Sequence, residues 1–276
     1  MTDVEAGDAS GPADPSVAEL RKELIRQTRR AERLELTLRQ LEEIRDTNTR
    51  LLDRLRAELG VERARSQALL LNVLPQRIVD RLNAGEERIA DAHSDVAVVF
   101  SDFVGFTEIA ARRSVDDLVV DLGGMFAAFD AACDRLGVEK IKTIGDAYLA
   151  AAGLARHDGE RDAGGHAAAA AELALDMLDA VAARGPGWRI RIGIDCGPVV
   201  SGVIGTRTFA YDVWGDTVNV ASRLEGSSEP GRIHVSATVA ALLADRFVLE
   251  PRGAVVLKGK GAMETFFLAG RVRDDS

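Results

Sequence analysis

The stretch VVFSDFVGFTEIA, residues 98–110, indicates a core strand and raises the first functional question. Val98, Val99 and Phe100 have the apolar character of a buried strand, yet an aspartate, Asp102, follows them closely. An ionised carboxylate at the end of a buried strand is costly unless a cation or strong hydrogen-bond donors receive it. The stretch therefore predicts a core strand that ends in a charged functional group.

The chain after His93 alternates strand-like segments with longer helical ones. Antiparallel hairpins joined by long helices indicate an α+β fold, with a ferredoxin-like (split βαβ) antiparallel sheet covered by helices on one face. The predicted strands and helices are DVAVVFS (95–101), a helix over 115–136, the hairpin VEKIKTIGDAYLAAAG (138–153) turning at Gly145 and Asp146, an alanine-rich helix over 165–183, and the strand FAYDVWG (209–215).

Two further segments of this region carry specific expectations. The stretch WRIRIGIDCGPVVSGVIG, residues 188–205, is predicted as two strands that meet near Cys196 and Gly197. The stretch DTVNVASRLEG, residues 216–226, is predicted as a helix that Asp216 caps and Gly226 closes.

The chain divides by composition into four parts. Residues 1–16 are predicted as a disordered tail, residues 17–66 as a parallel dimeric coiled coil, residues 67–92 as a helical transducer or linker, and residues 93–276 as the catalytic domain. A solitary amphipathic helix is the alternative to the coiled coil. The polar positions Arg45 and Asn48 weaken the seam locally, and a buried Asn pair favours two strands in one register. The heptad a and d positions are Val17, Leu20, Leu24, Gln27, Ala31, Leu34, Leu38, Leu41, Arg45, Asn48, Leu52, Leu55, Leu59, Glu62, Ser66 and Leu69.

The linker carries Pro75, which is expected to break or kink the helix near Leu74. We hypothesise that this joint and the coiled coil set the relative rotation of two catalytic domains, and a packed connector without a regulatory role is the alternative. Deleting residues 1–66 tests the hypothesis, which fails if both dimerisation and specific activity stay unchanged.

Composition limits the classes of function. The 276 residues are 46% hydrophobic and carry a net charge of −9, which argues against general binding of nucleic acid or anionic membranes. No apolar run reaches the roughly 18 residues of a membrane helix, and the acidic N-terminus lacks the order of a secretory signal, so a cytoplasmic location is expected. Cys133 and Cys196 show no zinc-binding spacing and are predicted as small buried residues.

A second carboxylate, Asp146, lies at the predicted hairpin turn next to the strand of Asp102. Two oxygen donors with open positions suit Mg²⁺ or Mn²⁺. Taken singly, Asp102 could instead cap a helix beginning near Thr107, and Gly145 with Asp146 could form an ordinary turn.

Three segments together resemble the signature motifs of the class III nucleotidyl cyclases: FSDFVGFT (100–107), KIKTIGDAY (140–148) and YDVWGDTVNVASR (211–223). The resemblance covers roughly residues 93 to 270 and is closest to adenylate cyclases of the bacterial type. The segment LLLNVLP (69–75) also resembles the transducing linker of bacterial members. The resemblance implies a catalytic domain that cyclises a nucleoside triphosphate at a dimer interface.

The resemblance also implies roles for individual residues. Asp102 and Asp146 match the two metal-binding aspartates, with the backbone carbonyl of Phe103 as a further ligand, so two divalent ions (Mg²⁺ or Mn²⁺) are expected at each site. Lys142 matches the lysine that contacts the purine and Asp212 matches its partner. A donor for adenine N1 and an acceptor for N6 favour ATP, whereas guanylyl cyclases typically carry Glu and a small polar residue or Cys.

The remaining roles concern the ribose and the phosphates. Asn219 and Arg223 match the transition-state pair, and Lys258 and Arg207 match residues that hold the terminal phosphates. Each of these side chains could instead be a solvated surface group. Phe103 stands where many relatives have Ile, and Asp216 where some have Asn.

Every motif position is present in one chain, so the resemblance implies a homodimer with two equivalent sites. The metal aspartates are then expected from one subunit, with Lys142, Asp212, Asn219 and Arg223 from the other. The expected reaction converts ATP to 3′,5′-cyclic AMP and pyrophosphate. A guanylate or relaxed-specificity cyclase and a catalytically silent dimeric nucleotide-binding module are the alternatives.

Overall fold

The computed structural model describes residues 16–71, 74–154, 162–205 and 209–272, with side chains for all of these except residues 64 and 66–71. The chain forms two compact units that divide after residue 72. Residues 1–15 of the predicted tail lie outside the described residues. The elements in chain order are α1 (Val17–Leu71), α2 (Gln76–Asn83), β1 (Ala90–Phe103), α3 (Phe106–Arg112), α4 (Val115–Leu136), β2 (Glu139–Ile144), β3 (Ala147–Ala152), α5 (Ala163–Ala182), β4 (Ile190–Ile204), β5 (Ala210–Trp214), α6 (Asp216–Ser227), β6 (Ile233–Ser236), α7 (Ala237–Leu243), β7 (Phe247–Leu257) and β8 (Gly261–Arg271).

The first unit is the helix α1, which runs without a break for 55 residues. From Leu20 to Leu59, the leucines at the predicted a and d positions are exposed along it, for example Leu20 at 56%, Leu38 at 59% and Leu55 at 46%. A row of exposed leucines with a heptad spacing is the surface that a partner helix covers in a coiled coil. The long helix therefore agrees with the predicted coiled coil.

The second unit contains an eight-stranded, mostly antiparallel sheet with the strand order β2-β3-β1-β4-β6-β8-β7, and β5 pairs with β4. Only the pair β4–β6 is parallel among the described strands. The part β2-β3-β1-β4 has the order and directions of a split βαβ sheet. The predicted α+β, ferredoxin-like fold is confirmed.

Helices cover both faces of this sheet, which corrects the expectation of one covered face. Alternate side chains of β1 point to opposite faces, so Val99 packs in the cluster that contains α4 and α5, while Val98 packs in the cluster that contains Ala221 of α6. Gly193 of β4 permits the close approach of α6, because a Cβ there would lie 2.1 Å from the Ala221 carbonyl oxygen. The helix α6 therefore packs on the same face of the sheet that bears Asp102.

Local signals explain several element boundaries. The helix predicted over residues 115–136 is α4, which Ser114 caps by accepting a hydrogen bond from the Asp117 amide and Gly137 ends with a left-handed φ of 63°. The predicted hairpin turns at Gly145 and Asp146, between β2 and β3. The helix α2 begins directly after Pro75, as expected of a helix-breaking proline.

Two further predictions about this unit are wrong. Residues 190–204 form one strand, β4, because the neighbouring strand β1 has an irregular register between His93 and Val96, opposite Pro198, which lacks an amide hydrogen. The side chain of Asp216 does not cap α6: Gly215 holds the cap position, Asp216 is the first helical residue, and the helix continues one residue past Gly226. The C-terminal elements from β6 to β8 were not predicted from the sequence.

No helix among the described residues combines the length and the apolar character needed to cross a membrane.

Candidate functional site

Two carboxylates, from Asp102 and Asp146, meet at one edge of the central sheet. Asp102 is the next-to-last residue of β1, and Asp146 lies in the turn that joins β2 to β3. Because β3 pairs with β1, with Ser101 opposite Tyr148, the turn lies beside the end of β1. The two side chains share a hydrogen bond, and burial together with this neighbour raises the pKa of Asp102 to about 6. Two acidic groups held this closely favour a cation between them.

The predicted third ligand, Phe103, turns its side chain away from this pair. Its ring is buried, 5.3 Å from the Trp188 ring and 6.2 Å from the Phe126 ring, measured between centroids. Its amide donates a hydrogen bond to the carboxylate of Asp102. The side chain of Phe103 therefore packs in the core, and the role of its backbone carbonyl as a metal ligand stays a prediction.

A cation that was not predicted from the sequence, Arg191 of β4, lies beside the acid pair. One guanidinium nitrogen, Nη2, is 3.6 Å from Asp102 Oδ2, and Nε donates to Glu225 Oε1 over 3.0 Å. Glu225 lies on the buried face of α6, and burial raises its pKa to about 7 although Arg191 opposes the shift. The sequence signal for this cation was a charged residue, Arg191, within the mostly apolar strand segment WRIRIGI. Only the fold shows that Glu225 contacts Arg191.

The residues present fit a divalent cation. Among the described residues, no group of three or more His, Cys, Asp and Glu side chains could hold a metal ion by itself. Mg²⁺ is commonly held by one or two carboxylates together with substrate phosphates and water. The hard oxygen donors of Asp102 and Asp146 and the raised pKa of Asp102 match that pattern.

The predicted base-reading residues, Lys142 and Asp212, form an ion pair. Lys142 lies on β2 and Asp212 on β5, and the Lys142 Nζ donates to Asp212 Oδ2 over 2.6 Å. The side chain of Lys142 is 39% exposed and that of Asp212 is 19% exposed, so a ligand can reach the pair from solvent. The fold thus brings together a donor and an acceptor that are 70 residues apart.

The predicted ribose and phosphate residues lie on the outer face of α6 and the turn after β7. Asn219 is exposed and Arg223 half-buried, while Val220, Ala221 and Leu224 face the sheet. The Arg223 guanidinium lies 3.9 Å from the position that a Cβ at Gly259 would take. The exposed Lys258 belongs to the same turn, and Lys260 pairs with Asp216. Arg207 lies outside the described residues.

Comparison with known proteins establishes the family. The model of the adenylate and guanylate cyclase catalytic domain matches residues 89–270. The chain belongs to the adenylate and guanylate cyclase catalytic domain family. Divalent metal ions are the cofactors that this family uses.

The relatives of this cyclase domain include both nucleotide classes. An adenylate cyclase of Mycobacterium tuberculosis is 45% identical over 228 residues, covering 80% of this chain and 50% of the relative. Human atrial natriuretic peptide receptor 2 is 40% identical over 217 residues, covering 76% of this chain and 20% of the receptor. The crystal structure of the guanylate cyclase domain of RhGC from Catenaria anguillulae in complex with GTP is 36% identical, covers 66% of this chain and 100% of that domain, and has a TM-score of 0.61.

The chain spans about half the length of the mycobacterial relative. Because adenylate and guanylate cyclases are both similar to this cyclase domain, the choice of nucleotide has to be argued from its own base-reading residues.

Proposed function

We propose that the chain is an adenylate cyclase, which converts ATP to 3′,5′-cyclic AMP and pyrophosphate. The observation that carries the proposal is the pair of Lys142 and Asp212, a donor and an acceptor held 2.6 Å apart at an accessible position. Membership of the cyclase family supports the reaction class, and the curated mycobacterial relatives named adenylate cyclase support the nucleotide.

Adenine fits this pair by its hydrogen-bonding pattern. The Lys142 ammonium donates to the acceptor at N1, and the Asp212 carboxylate accepts from the amino group at N6. Guanine presents a donor at N1 and an acceptor at O6, so both of its contacts with this pair would be mismatched. A site that leaves buried polar groups unpaired with the wrong ligand discriminates strongly against that ligand.

Asp102, Asp146 and the carbonyl of Phe103 would hold the divalent ions. When bound, Mg²⁺ or Mn²⁺ supplies the positive charge that neutralises the triphosphate and favours ionisation of the ribose 3′-hydroxyl. In the protein itself, the Arg191 guanidinium 3.6 Å from Asp102 favours the ionised carboxylate that metal binding requires.

The ribose 3′-hydroxyl loses its proton to solvent, its oxygen forms a bond to the α-phosphorus, and the bond from that phosphorus to the α,β-bridging oxygen breaks, so that this oxygen leaves with pyrophosphate. Asn219 orients the ribose, and Arg223 meets the negative charge that develops at the α-phosphate. Lys258, and Arg207 by its motif position, bind the terminal phosphates and the departing pyrophosphate. Catalysis then consists of positioning and charge stabilisation, without a protein nucleophile.

We further propose that each site is built from two copies of the chain. Glu225 and Arg191 place the acid pair on the buried side of α6, whereas Asn219 and Arg223 project from its outer side. Side chains on opposite sides of one helix contact a single nucleotide only if a second copy supplies one of the sets. Exposed apolar residues of β4 and β5, such as Ile204 at 60% and Trp214 at 37%, offer a surface for that copy.

The proposed parallel coiled coil and the catalytic surface then form one homodimer, and the domain limits predicted from the sequence remain part of this proposal. The cytoplasmic location also remains a prediction.

Product analysis tests the function. The purified chain is incubated with equal concentrations of ATP and GTP and with Mg²⁺ or Mn²⁺, and the products are separated and identified by mass. Cyclic AMP is expected as the dominant product. Dominant cyclic GMP would contradict the base-reading roles of Lys142 and Asp212, and no product from a verified dimer would favour a silent nucleotide-binding module.

A double substitution, Lys142→Glu with Asp212→Cys, sharpens this test. It should exchange the donor and acceptor pattern and turn the preference from ATP towards GTP, with total activity reduced by about tenfold or more. Lys140→Glu is the matched control, because Lys140 lies on the same strand but pairs with Asp130 of α4.

A further inference from the structure

The helix α2 lies directly behind the two strands that carry the base-reading pair. Ile78 and Val79 of α2 are fully buried and pack in one cluster with Tyr211 and Ile141. Ile141 immediately precedes Lys142 on β2, and Tyr211 immediately precedes Asp212 on β5. The contacts of α2 therefore reach the residue next to each member of the pair.

One side chain of α2, Arg77, binds both strands at once. Its Nη2 donates to the two carboxylate oxygens of Glu139 over 2.9 and 3.1 Å, and it also donates to the hydroxyl of Tyr211. The guanidinium carbon lies 5.3 Å from the centroid of the Tyr211 ring. Glu139 is the first residue of β2, three residues before Lys142.

These contacts are shielded enough to be strong. The side chain of Arg77 is 27% exposed and that of Glu139 is 19% exposed, and Tyr211 is 6% exposed overall. Burial raises the pKa of Tyr211 to about 12, so its hydroxyl stays protonated. Hydrogen bonds between an arginine and a carboxylate gain strength where solvent is largely excluded.

We propose that Arg77 is a positioning residue for nucleotide recognition: by fixing Glu139 and Tyr211 to α2, it sets the distance between Lys142 on β2 and Asp212 on β5. This inference rests on the proposed function of that pair. Without the guanidinium, the two strands keep their apolar packing, the contact between Tyr211 and Glu139 and the Lys142–Asp212 pair, but both lose their polar contact with α2. Loss of Arg77 then allows α2 to move away from the two strands. This movement changes the affinity for the nucleotide and the selectivity for its base, and it leaves the bond-making residues in place.

The test compares Arg77→Ala with Arg81→Ala in the whole 276-residue chain. Arg81 lies on the same helix, but its partners are Glu86 and Asp91, which are not on β2 or β5. Arg77→Ala should raise the KM for ATP about tenfold, change kcat less than about threefold, and lower the ratio of kcat/KM for ATP over GTP about tenfold. Arg81→Ala should leave all three quantities unchanged, and Arg77→Lys should recover part of the selectivity.

A folded Arg77→Ala variant with the wild-type ratio of ATP to GTP use would overturn the proposal, as would an equal loss for Arg81→Ala. If Arg77→Ala does not fold, Glu139→Gln and Tyr211→Phe remove one contact each and are expected to lower the same ratio.

Calorimetric binding of non-cyclisable ATP and GTP analogues gives a readout that does not depend on catalysis. A wild-type protein that binds the ATP analogue selectively but makes no cyclic nucleotide contradicts the proposed function alone. Unchanged analogue selectivity in Arg77→Ala contradicts the role of Arg77 alone.

Discussion

Asp102 bears an electrostatic cost in the free protein that a divalent cation would remove. Its carboxylate is partly buried and hydrogen-bonded to Asp146, and its pKa rises to about 6. Arg191 offsets this cost only in part, because Glu225 competes for the same guanidinium. Groups that are costly for folding in this way are characteristic of functional sites.

Asp102→Asn should therefore separate stability from activity. Because the folded-state pKa of this acid is raised, ionisation costs stability increasingly above pH 4, and at pH 7.5 the metal-free variant should be more stable by about 1–2 kcal/mol. Cyclase activity should fall at least about 100-fold. Thermal unfolding with and without Mn²⁺ measures the effect, and a variant that keeps the metal-induced stabilisation of the wild type would contradict the metal role.

The buried side chain of His234 makes the stability of the folded protein depend on pH. The side chain is fully buried, donates to the Leu224 carbonyl over 2.9 Å and lies beside Arg252, and burial lowers its pKa to about 4. A base with a lowered pKa contributes stability above its unfolded pKa, near 6.5, and this contribution is lost as the pH falls towards 4.

Chemical unfolding at pH 8 and pH 5 should show a loss of about 2 kcal/mol at the lower pH from this residue. His234→Asn, which keeps a donor for the Leu224 carbonyl, should show a smaller loss over the same range. An identical loss in the variant would assign the acid sensitivity to other groups.

The residues named by the three motifs were accessible from the sequence because each motif is local. Arg191, Glu225 and Arg77 were not, because their roles arise from contacts between segments far apart in the chain, such as the 62 residues between Arg77 and Glu139. A sequence pattern reports periodicity and local chemistry, and the contacts of a charged side chain depend on tertiary packing.

At the scale of elements, the seating of α6 on β4 determines where Asn219 and Arg223 point. This seating depends on Gly193, since a Cβ there would lie 2.1 Å from the Ala221 carbonyl and 2.3 Å from the Glu225 amide nitrogen. Both obstacles are backbone atoms of α6, so the helix itself would have to move.

Gly193→Ala should cost about 3 kcal/mol or more of stability and remove most of the cyclase activity. Gly226→Ala, in the open last turn of the same helix, should instead be neutral or stabilise by up to about 1 kcal/mol. Unfolding curves and activity of the two variants provide the comparison, and equal stabilities would contradict the close packing.

The prediction of elements succeeded where capping and periodicity agree. The helix α4 has the predicted limits because Ser114 and Gly137 mark both ends. The prediction failed at β4, where Gly197 and Pro198 suggest a break but an irregularity in the neighbouring strand β1 accommodates the proline. Compensation by a paired strand cannot be read from one segment alone.

At the scale of the whole molecule, the central claim is that one ATP is bound by residues from two copies of the chain. The leucine seam of α1 and the exposed apolar residues of β4 and β5 provide two separate surfaces for pairing. The order of the motifs predicted the family and its fold. Only the fold shows that the acid pair lies on the buried side of α6, whereas Asn219 and Arg223 lie on its outer side.

The most direct measurement uses two inactive variants, Asp102→Ala and Arg223→Ala, each with its own affinity tag. A heterodimer purified through both tags contains one site with both defects and one intact site, so cyclic AMP formation from ATP at about half the wild-type rate is expected. Each variant alone should form almost no product. A heterodimer as inactive as its parents, beside an active wild-type protein, would contradict a site shared between two copies.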